Sequence, residues 1–308
     1  MSGADLSILA IGESMIELND AGDHLTSWTF AGDALNWAVA VASAYPAGRV
    51  QHLCAVGDDE RSIEFAQFCG EMNVDTSISP IVADRSMGLY WISTVDGDRE
   101  FRYWRSESAA RAHLRSGNRI LPTHHIDLVM ISNITLAVAG DQATNLIDEI
   151  GQLKSQGVTV AYDTNFRRRL WPDLETARSA EAAALDLADF VHASVDDLSA
   201  VWDTTVDDYI SRLMAANVQE AIVTDGANDV AIARIDSTET FNPPVVDALD
   251  TSGAGDAFFG TYVGRRLGGS TVDEAVSAAA EVCSRVVAFP GALAYRTASA
   301  SGSPHTPG

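Results

Sequence analysis

Strand-like apolar runs and segments of helical periodicity alternate along much of the chain. The first run, residues 7–11, is closed by Gly12 and predicts a buried strand. From residue 126 onward the alternation is regular, with strand-like runs at 127–132, 158–163, 190–193 and 220–224 and helix-like segments at 140–156 and 176–187. This pattern predicts an α/β fold with a mostly parallel sheet covered by helices on both faces. Ligands of such sheets bind beyond the carboxyl ends of the strands, so polar residues that follow strands are the first candidates for a site.

A second, smaller sheet is predicted from residues 13–18, which alternate in polarity, and from a hairpin within residues 88–105. Asp96-Gly97 is a two-residue hairpin turn between two aromatic-rich runs. If this turn sets the register, Val95 pairs with Asp98.

The same register places Tyr90 opposite Tyr103, on the face that also carries Ile92 and Phe101. Arg105 follows on that face, opposite Gly88. Two tyrosines and an arginine beside a glycine predict a clamp for a small hydroxylated acid, because arginine binds carboxylates bidentately. The alternative is a sheet whose aromatic residues only pack, with one solvated arginine.

Residues 250–256, Asp-Thr-Ser-Gly-Ala-Gly-Asp, precede a helix-like segment that ends at Gly268-Gly269. A glycine-rich turn at a helix N-terminus predicts an anion site, because free amide groups and the helix dipole both face the ligand. Asp256 would repel an anion there unless it accepts a proton from the group that attacks that anion. The alternative is that Asp256 only caps or charges the first turn.

Acidic residues dominate the composition, with 43 Asp and Glu against 20 Lys and Arg, for a net charge of −23. Lys154 is the only lysine, and the acidic excess is spread along the whole chain. This composition resembles that of proteins from salt-loving archaea. It argues against nucleic-acid binding, because no basic patch is left to neutralise phosphates.

The 3 cysteines and 7 histidines form no disulfide or metal-ligand pattern. We therefore expect a reducing, cytoplasmic setting. No apolar run is long enough to span a bilayer, so no membrane partner is expected.

The string at 250–256, continued by Ala257-Phe258-Phe259-Gly260, resembles the C-terminal motif of the ribokinase-like (phosphofructokinase B type) carbohydrate kinases. The resemblance implies ATP and Mg²⁺ as cofactors and Asp256 as catalytic base. It also implies that Gly253, Ala254 and Gly255 form an anion hole for the transferred phosphate. It extends from Gly12 to Gly291.

The family's sugar site is implied at two further segments. Gly32, Asp33 and Asn36 match its N-terminal motif, although Ala31 stands where a second glycine is usual. Asn165 and Arg167 match the Asp-x-Asn-x-Arg segment, and that arginine contacts substrate near the transferred phosphate.

Substrate choice is implied by the hairpin. The hairpin resembles that of the branch of the family that phosphorylates 2-keto-3-deoxygluconate, and this resemblance implies that Tyr90, Tyr103 and Arg105 contact the keto acid. Of the adjacent arginines, Arg168 or Arg169 is interpreted as surface charge.

The nucleotide site is implied at the remaining motifs. Thr224, Gly226 and Ala227 resemble the family's nucleotide-phosphate turn, and Ser194 and Asp197 stand where its magnesium-linked Asn-x-x-Glu motif lies. Both ends of that motif differ here, so Asp197 is a candidate metal ligand and Ser194 could instead only cap a helix.

We expect a single kinase domain over residues 1–297, with lid strands within about 13–31 and 86–105, a disordered tail at 298–308, and a homo-oligomer of two or more subunits. The main alternatives are a 2-keto-3-deoxygalactonate kinase or a fructokinase. A dinucleotide-dependent oxidoreductase would need the motif Gly-x-Gly-x-x-Gly after the first strand, and this chain does not have it there. A catalytically dead sugar-acid sensor is disfavoured by Asp256.

Overall fold

The computed structural model describes residues 5–20, 26–95 and 98–296. Strands form in it where the apolar runs predicted them. The described strands are β1 (Ser7–Ile11), β2 (Met15–Asp20), β3 (Thr26–Ala31), β4 (Arg49–Leu53), β5 (Gly88–Val95), β6 (Asp98–Trp104), β7 (Leu128–Ser132), β8 (Thr159–Asp163), β9 (Phe190–Ser194), β10 (Glu220–Thr224), β11 (Val230–Arg234) and β12 (Ser237–Phe241).

Eight of these strands form a large sheet in the order β12-β11-β10-β9-β8-β7-β1-β4. The six from β10 to β4 are parallel, and β11 and β12 extend the sheet antiparallel at one edge. The predicted α/β class with a mostly parallel sheet is therefore confirmed.

Helices cover both faces of this sheet. They are α1 (Asp33–Ala44), α2 (Glu60–Glu71), α3 (Ala109–Leu114), α4 (Asn133–Ala139), α5 (Ala143–Ser155), α6 (Leu174–Leu185), α7 (Val195–Trp202), α8 (Val206–Ala215), α9 (Ala254–Leu267) and α10 (Val272–Val286), with 3₁₀ turns at Gly140–Gln142 and Arg168–Leu170. Strand β1 shows why both faces need cover: Ile8 and Ala10 enter one buried cluster, while Leu9 and Ile11 enter the other. Side chains alternate across a strand, so a strand apolar at every position must be buried twice.

The small second sheet has the order β3-β2-β5-β6. Its hairpin has the predicted register, with Val95 paired to Asp98 and Tyr90 to Tyr103. The two tyrosine rings stack with their centroids 5.4 Å apart. The turn itself, residues 96–97, lies outside the described residues, as does the predicted tail at 298–308.

Several elements differ from the prediction. The helix expected over 140–156 begins with a 3₁₀ turn, and α4 was missed, as were α3, α8, β11 and β12. Helix α4 is buried at six of its seven positions, so it carries no amphipathic periodicity.

Candidate active site

Asp256 lies in the first turn of α9, and amide groups from two distant segments hold its carboxylate. Asn36 Nδ2 donates to Oδ2 at 2.8 Å, and Asn165 Nδ2 donates to Oδ1 at 3.2 Å. The helix has no side-chain cap, so Asp256 does not cap it, although Asp256 is the acidic residue of its first turn. Helix α1 likewise follows a glycine, Gly32, and has no side-chain cap at its N-terminus.

The turn before α9 depends on glycine. Gly253 has φ 72°, a conformation that costs other residues about 1–2 kcal/mol. A Cβ there would lie 2.4 Å from Ala292 Cβ and 3.1 Å from Asn36 Nδ2. The turn is therefore packed tightly against the group that orients Asp256.

Burial, together with the nearby carboxylates of Asp163 and Asp33, raises the pKa of Asp256 to about 8. The Asn36 hydrogen bond and the Arg167 charge oppose this shift. A carboxylate with a raised pKa is a stronger base once it has lost its proton, which suits it to accept a proton from a hydroxyl group.

A cleft of about 560 Å³ opens in front of this turn, at the carboxyl ends of the parallel strands. It brings together the predicted anion-hole and nucleotide residues with two of the predicted substrate residues. These lining residues are Asn165, Arg167, Ser194, Asp197, Thr224, Gly226, Ala227, Gly253, Ala254, Gly255 and Asp256. Pro243, Pro244, Val246 and Phe258 add an apolar part to its wall.

His192 and Asp163 also line this cleft, and the sequence reasoning missed both roles. His192 Nδ1 lies 2.9 Å from Asp163 Oδ1, and Nε2 lies 3.2 Å from Thr224 Oγ1. A Cβ on Gly255 would meet the His192 ring at 3.2 Å. Burial lowers the pKa of His192, but the Asp163 carboxylate and the charges of Asp197 and Asp256 raise it, and the net shift is upward. A histidine inside the otherwise apolar run 190–193 was the signal available in the sequence.

Ser194 caps α7, since its hydroxyl accepts the Asp197 amide at 3.1 Å. The Asp197 carboxylate accepts from Thr164 Oγ1 at 3.2 Å and from the Phe166 amide at 3.1 Å. No cluster of three or more His, Cys, Asp or Glu side chains suited to a metal occurs among the described residues. The Asp197 carboxylate is still compatible with Mg²⁺, which is commonly held by phosphates, waters and one or two carboxylates.

The small sheet brings buried carboxylates to the predicted substrate residues. Tyr90 donates its phenol hydrogen to Glu17, and Arg105 forms an ion pair with Glu13. The Arg105 and Glu13 side chains are 10% and 0% exposed, so the alternative of a solvated arginine is wrong. Neither glutamate was among the predicted site residues. Tyr103 and Arg105 also line a second, more open cavity of about 920 Å³.

Gly32 and Asp33 lie where the small sheet meets α1. A Cβ on Gly32, whose φ is 154°, would lie 2.6 Å from the Glu13 carbonyl oxygen. Asp33 accepts a hydrogen bond from Ser132 Oγ and is buried. Its pKa is raised by burial and by the charge of Asp163.

Asn36 Oδ1 and Arg105 Nε are among the buried polar atoms of this region that have no hydrogen-bond partner among the described residues. An unsatisfied buried polar atom is costly, so such atoms point to a missing polar ligand.

The three arginines after β8 diverge. Arg167 lines the cleft, where its charge opposes the upward pKa shift of Asp256. Arg168 Nη1 donates to the Trp171 carbonyl at 2.8 Å. The Arg169 guanidinium lies 3.8 Å from the centroid of the Tyr103 ring. Arg169 is solvent-exposed, which agrees with the interpretation of Arg168 or Arg169 as surface charge. It also contacts Tyr103, a predicted substrate residue.

Comparison with known proteins agrees with this geometry. Residues 5–297 match the pfkB family of carbohydrate kinases. The chain is 32% identical over 304 residues to the 2-dehydro-3-deoxygluconokinase of Escherichia coli strain K12, and the match covers 94% of this chain and 98% of that protein.

Two solved structures share the fold. The fructokinase of Xylella fastidiosa with bound ATP has a TM-score of 0.78 at 22% identity, and the match covers 94% of each chain. A putative ribokinase II of Escherichia coli in complex with ATP and Mg²⁺ has a TM-score of 0.80 at 18% identity, and covers 95% of this chain and 98% of its own. Because the family match spans nearly all of the sequence, the chain belongs to the pfkB family of carbohydrate kinases.

Proposed function

We propose that this protein transfers the γ-phosphate of ATP to the 6-hydroxyl group of 2-keto-3-deoxygluconate, giving 2-keto-3-deoxy-6-phosphogluconate. The observation that carries the proposal is the buried Asp256 carboxylate, which two asparagines orient at the mouth of a glycine-rich helix N-terminus. The curated relative at 32% identity bears the equivalent name, 2-dehydro-3-deoxygluconokinase, which supports the choice of substrate.

Asp256 is the proposed base. It accepts the hydroxyl proton while the substrate oxygen attacks the γ-phosphorus, and the bond from that phosphorus to the β,γ-bridging oxygen breaks in line. The Gly253, Ala254 and Gly255 amides stabilise the charge on the equatorial oxygens, and Arg167, which lines the same cleft, adds a cation. Asn36 and Asn165 hold the carboxylate in the orientation that proton transfer needs.

Nucleotide binding is proposed at the walls of the 560 Å³ cleft, with Thr224, Gly226 and Ala227 along the phosphates. The His192 ring positions Thr224, because its Nε2 lies 3.2 Å from Thr224 Oγ1. Mg²⁺ would neutralise phosphate charge when bound, and Asp197 is the residue proposed to face it, through water.

The acid end of the substrate is proposed to lie beneath the small sheet, which would act as a lid. Tyr90, Tyr103 and Arg105 then contact the keto acid, while Gly32, Asp33 and Asn36 contact its hydroxyl groups. The unsatisfied Asn36 Oδ1 and Arg105 Nε are the atoms that such a ligand would satisfy.

The proposal is tested by an ATP-consumption assay at high salt, with 2-keto-3-deoxygluconate, 2-keto-3-deoxygalactonate and fructose as substrates. We expect the first to have the highest kcat/KM. A preference for the galactonate epimer would replace the substrate but keep the mechanism. Activity on fructose without activity on either acid would overturn the assignment to Tyr90, Tyr103 and Arg105.

The base is tested with Asp256→Asn, which should lower kcat by about 10²- to 10⁴-fold while the fold is kept. Asp273→Asn is a matched control, because Asp273 is an exposed acid in the first turn of the neighbouring helix α10. Near wild-type turnover in Asp256→Asn would show that another group takes the proton.

A homo-oligomer is also proposed. Trp28, Trp91 and Trp104 are 45%, 40% and 54% exposed on the face of the small sheet opposite Tyr90, and exposed aromatic patches are typical of interfaces. Light scattering that gives a monomer mass at micromolar concentration would reject this. No helix among the described residues is long and apolar enough to cross a membrane.

A further inference from the structure

The arginines near the proposed acid end differ in how their charge is balanced. Arg105 is buried and ion-paired with Glu13. Arg169 is exposed, and no carboxylate among the side chains that the structure describes lies within 4.0 Å of its guanidinium. Its contact is the ring of Tyr103, at 3.8 Å from the centroid.

This contact joins the two sheets. Arg169 belongs to the 3₁₀ turn that follows β8 of the large sheet, whereas Tyr103 lies on β6 of the small sheet. On the small sheet the Tyr103 ring stacks on Tyr90, whose phenol donates to the buried Glu17. Burial raises the pKa of that phenol, and the charges of Glu17, Tyr103 and Asp256 add to the shift, so the stack lies near the catalytic carboxylate. The guanidinium is therefore held at the edge of the proposed substrate position.

The buried carboxyl groups around the proposed substrate position favour a further cation there. Glu13, Glu17, Asp33 and Asp256 are buried carboxyl groups around this position. A substrate carboxylate brings one more negative charge, and the Arg105 charge is matched by Glu13. An arginine over an aromatic face is weakly hydrated and keeps all five donors in its plane, so it can pair with a carboxylate without first breaking an ion pair.

We propose that Arg169 is a specificity-determining residue of the kinase, which pairs with the substrate carboxylate while its guanidinium rests on Tyr103. Arg105 then contributes a directed hydrogen bond from Nε, and Arg169 contributes the unbalanced positive charge that distinguishes an acid from a neutral sugar. This inference rests on the proposed function, because it assumes a sugar-acid substrate.

The test compares 2-keto-3-deoxygluconate with its C1 carboxamide, which has the same shape but no charge, in a steady-state phosphorylation assay. In Arg169→Met we expect kcat/KM for the acid to fall by about 10- to 100-fold, the usual range for loss of a charge-assisted contact, with the carboxamide changed by less than about threefold. Arg169→Lys should keep most of the preference for the acid, because it retains the charge.

Arg168→Met is the matched control, since Arg168 is the adjacent exposed arginine and its guanidinium points to the Trp171 carbonyl instead. It should leave the acid-to-carboxamide ratio unchanged. Equal loss on both substrates in Arg169→Met would show that Arg169 only fastens the two sheets together, and would overturn the inference. A wild-type protein inactive on both compounds would instead overturn the proposed function itself. The acid-to-carboxamide ratio does not depend on the fraction of folded protein, so partial unfolding cannot imitate the expected result.

Discussion

The tight packing of the anion-binding turn makes Gly253→Ala a sharp test of how that turn works. The added methyl group would lie 2.4 Å from Ala292 Cβ and 3.1 Å from Asn36 Nδ2. Carbon atoms in contact are normally about 3.5–4.0 Å apart, so the turn or its neighbour must move by roughly 1 Å. The backbone at φ 72° adds strain of its own.

Two effects of different size follow. The left-handed backbone costs about 1–2 kcal/mol, and overpacking typically costs a further 1–3 kcal/mol, so the free energy of unfolding should fall by about 2–5 kcal/mol. A displacement of about 1 Å near the reacting atoms can lower turnover by roughly 10²-fold. Turnover is expected to suffer because the same methyl group presses on the Asn36 amide that holds Asp256.

Urea unfolding and steady-state kcat measure the two effects, and Ala292→Gly separates their causes. In the double variant the 2.4 Å contact is gone, although Ala292 Cα stays at 3.2 Å and the backbone strain remains. We expect the double variant to regain part of the stability and part of the turnover lost in Gly253→Ala. Wild-type kcat in Gly253→Ala would refute the idea that this turn is rigid and aligned with the base.

Four further predictions concern charge. Because the pKa of Asp256 is raised to about 8, kcat/KM should rise as pH passes through about 8, and a profile flat between pH 6 and 9 would contradict its role as base. The same shift means that the folded protein binds this proton more tightly than the unfolded chain, so the wild-type protein loses stability as pH rises toward 8. The melting temperature of Asp256→Asn relative to that of wild type should therefore increase from pH 5 to pH 9. His192 also has a raised pKa, so its stabilising contribution is largest below its ordinary pKa near 6.5, and His192→Gln should lower the free energy of unfolding more at pH 5.5 than at pH 8.5. Arg105→Met should destabilise by about 3–5 kcal/mol because it leaves Glu13 buried without its cation, and adding Glu13→Gln should recover much of that loss in chemical denaturation.

Much of the candidate site followed from local sequence. The hairpin register came from a two-residue turn and strict alternation, so the pairing of Tyr90 with Tyr103 could be predicted without tertiary information. The helix start at Ala254 followed from its glycines and the apolar residues behind them. Ser194 followed from its place before an amphipathic helix, and its hydroxyl makes the capping bond.

Short elements were harder, because their signals depend on surroundings that local sequence does not contain. Helix α4 is buried on nearly every side, which removes the polar face that marks a helix. Strands β11 and β12 have five residues each at the edge of the sheet, too few for a reliable period.

The layered fold, the family membership and the chemical type of each motif could be read from the sequence, because these depend on periodicity and on short runs of specific residues. Which charged groups come into contact depends on how distant segments pack in the folded protein. The tertiary structure paired Arg105 with Glu13, placed His192 between Asp163 and Thr224, and set Asn36 against Asp256. The partners in each pair lie 29 to 220 positions apart in the chain. Such contacts arise because parallel strands bring their carboxyl ends to one edge of the sheet, and no local pattern records which side chains will share that edge.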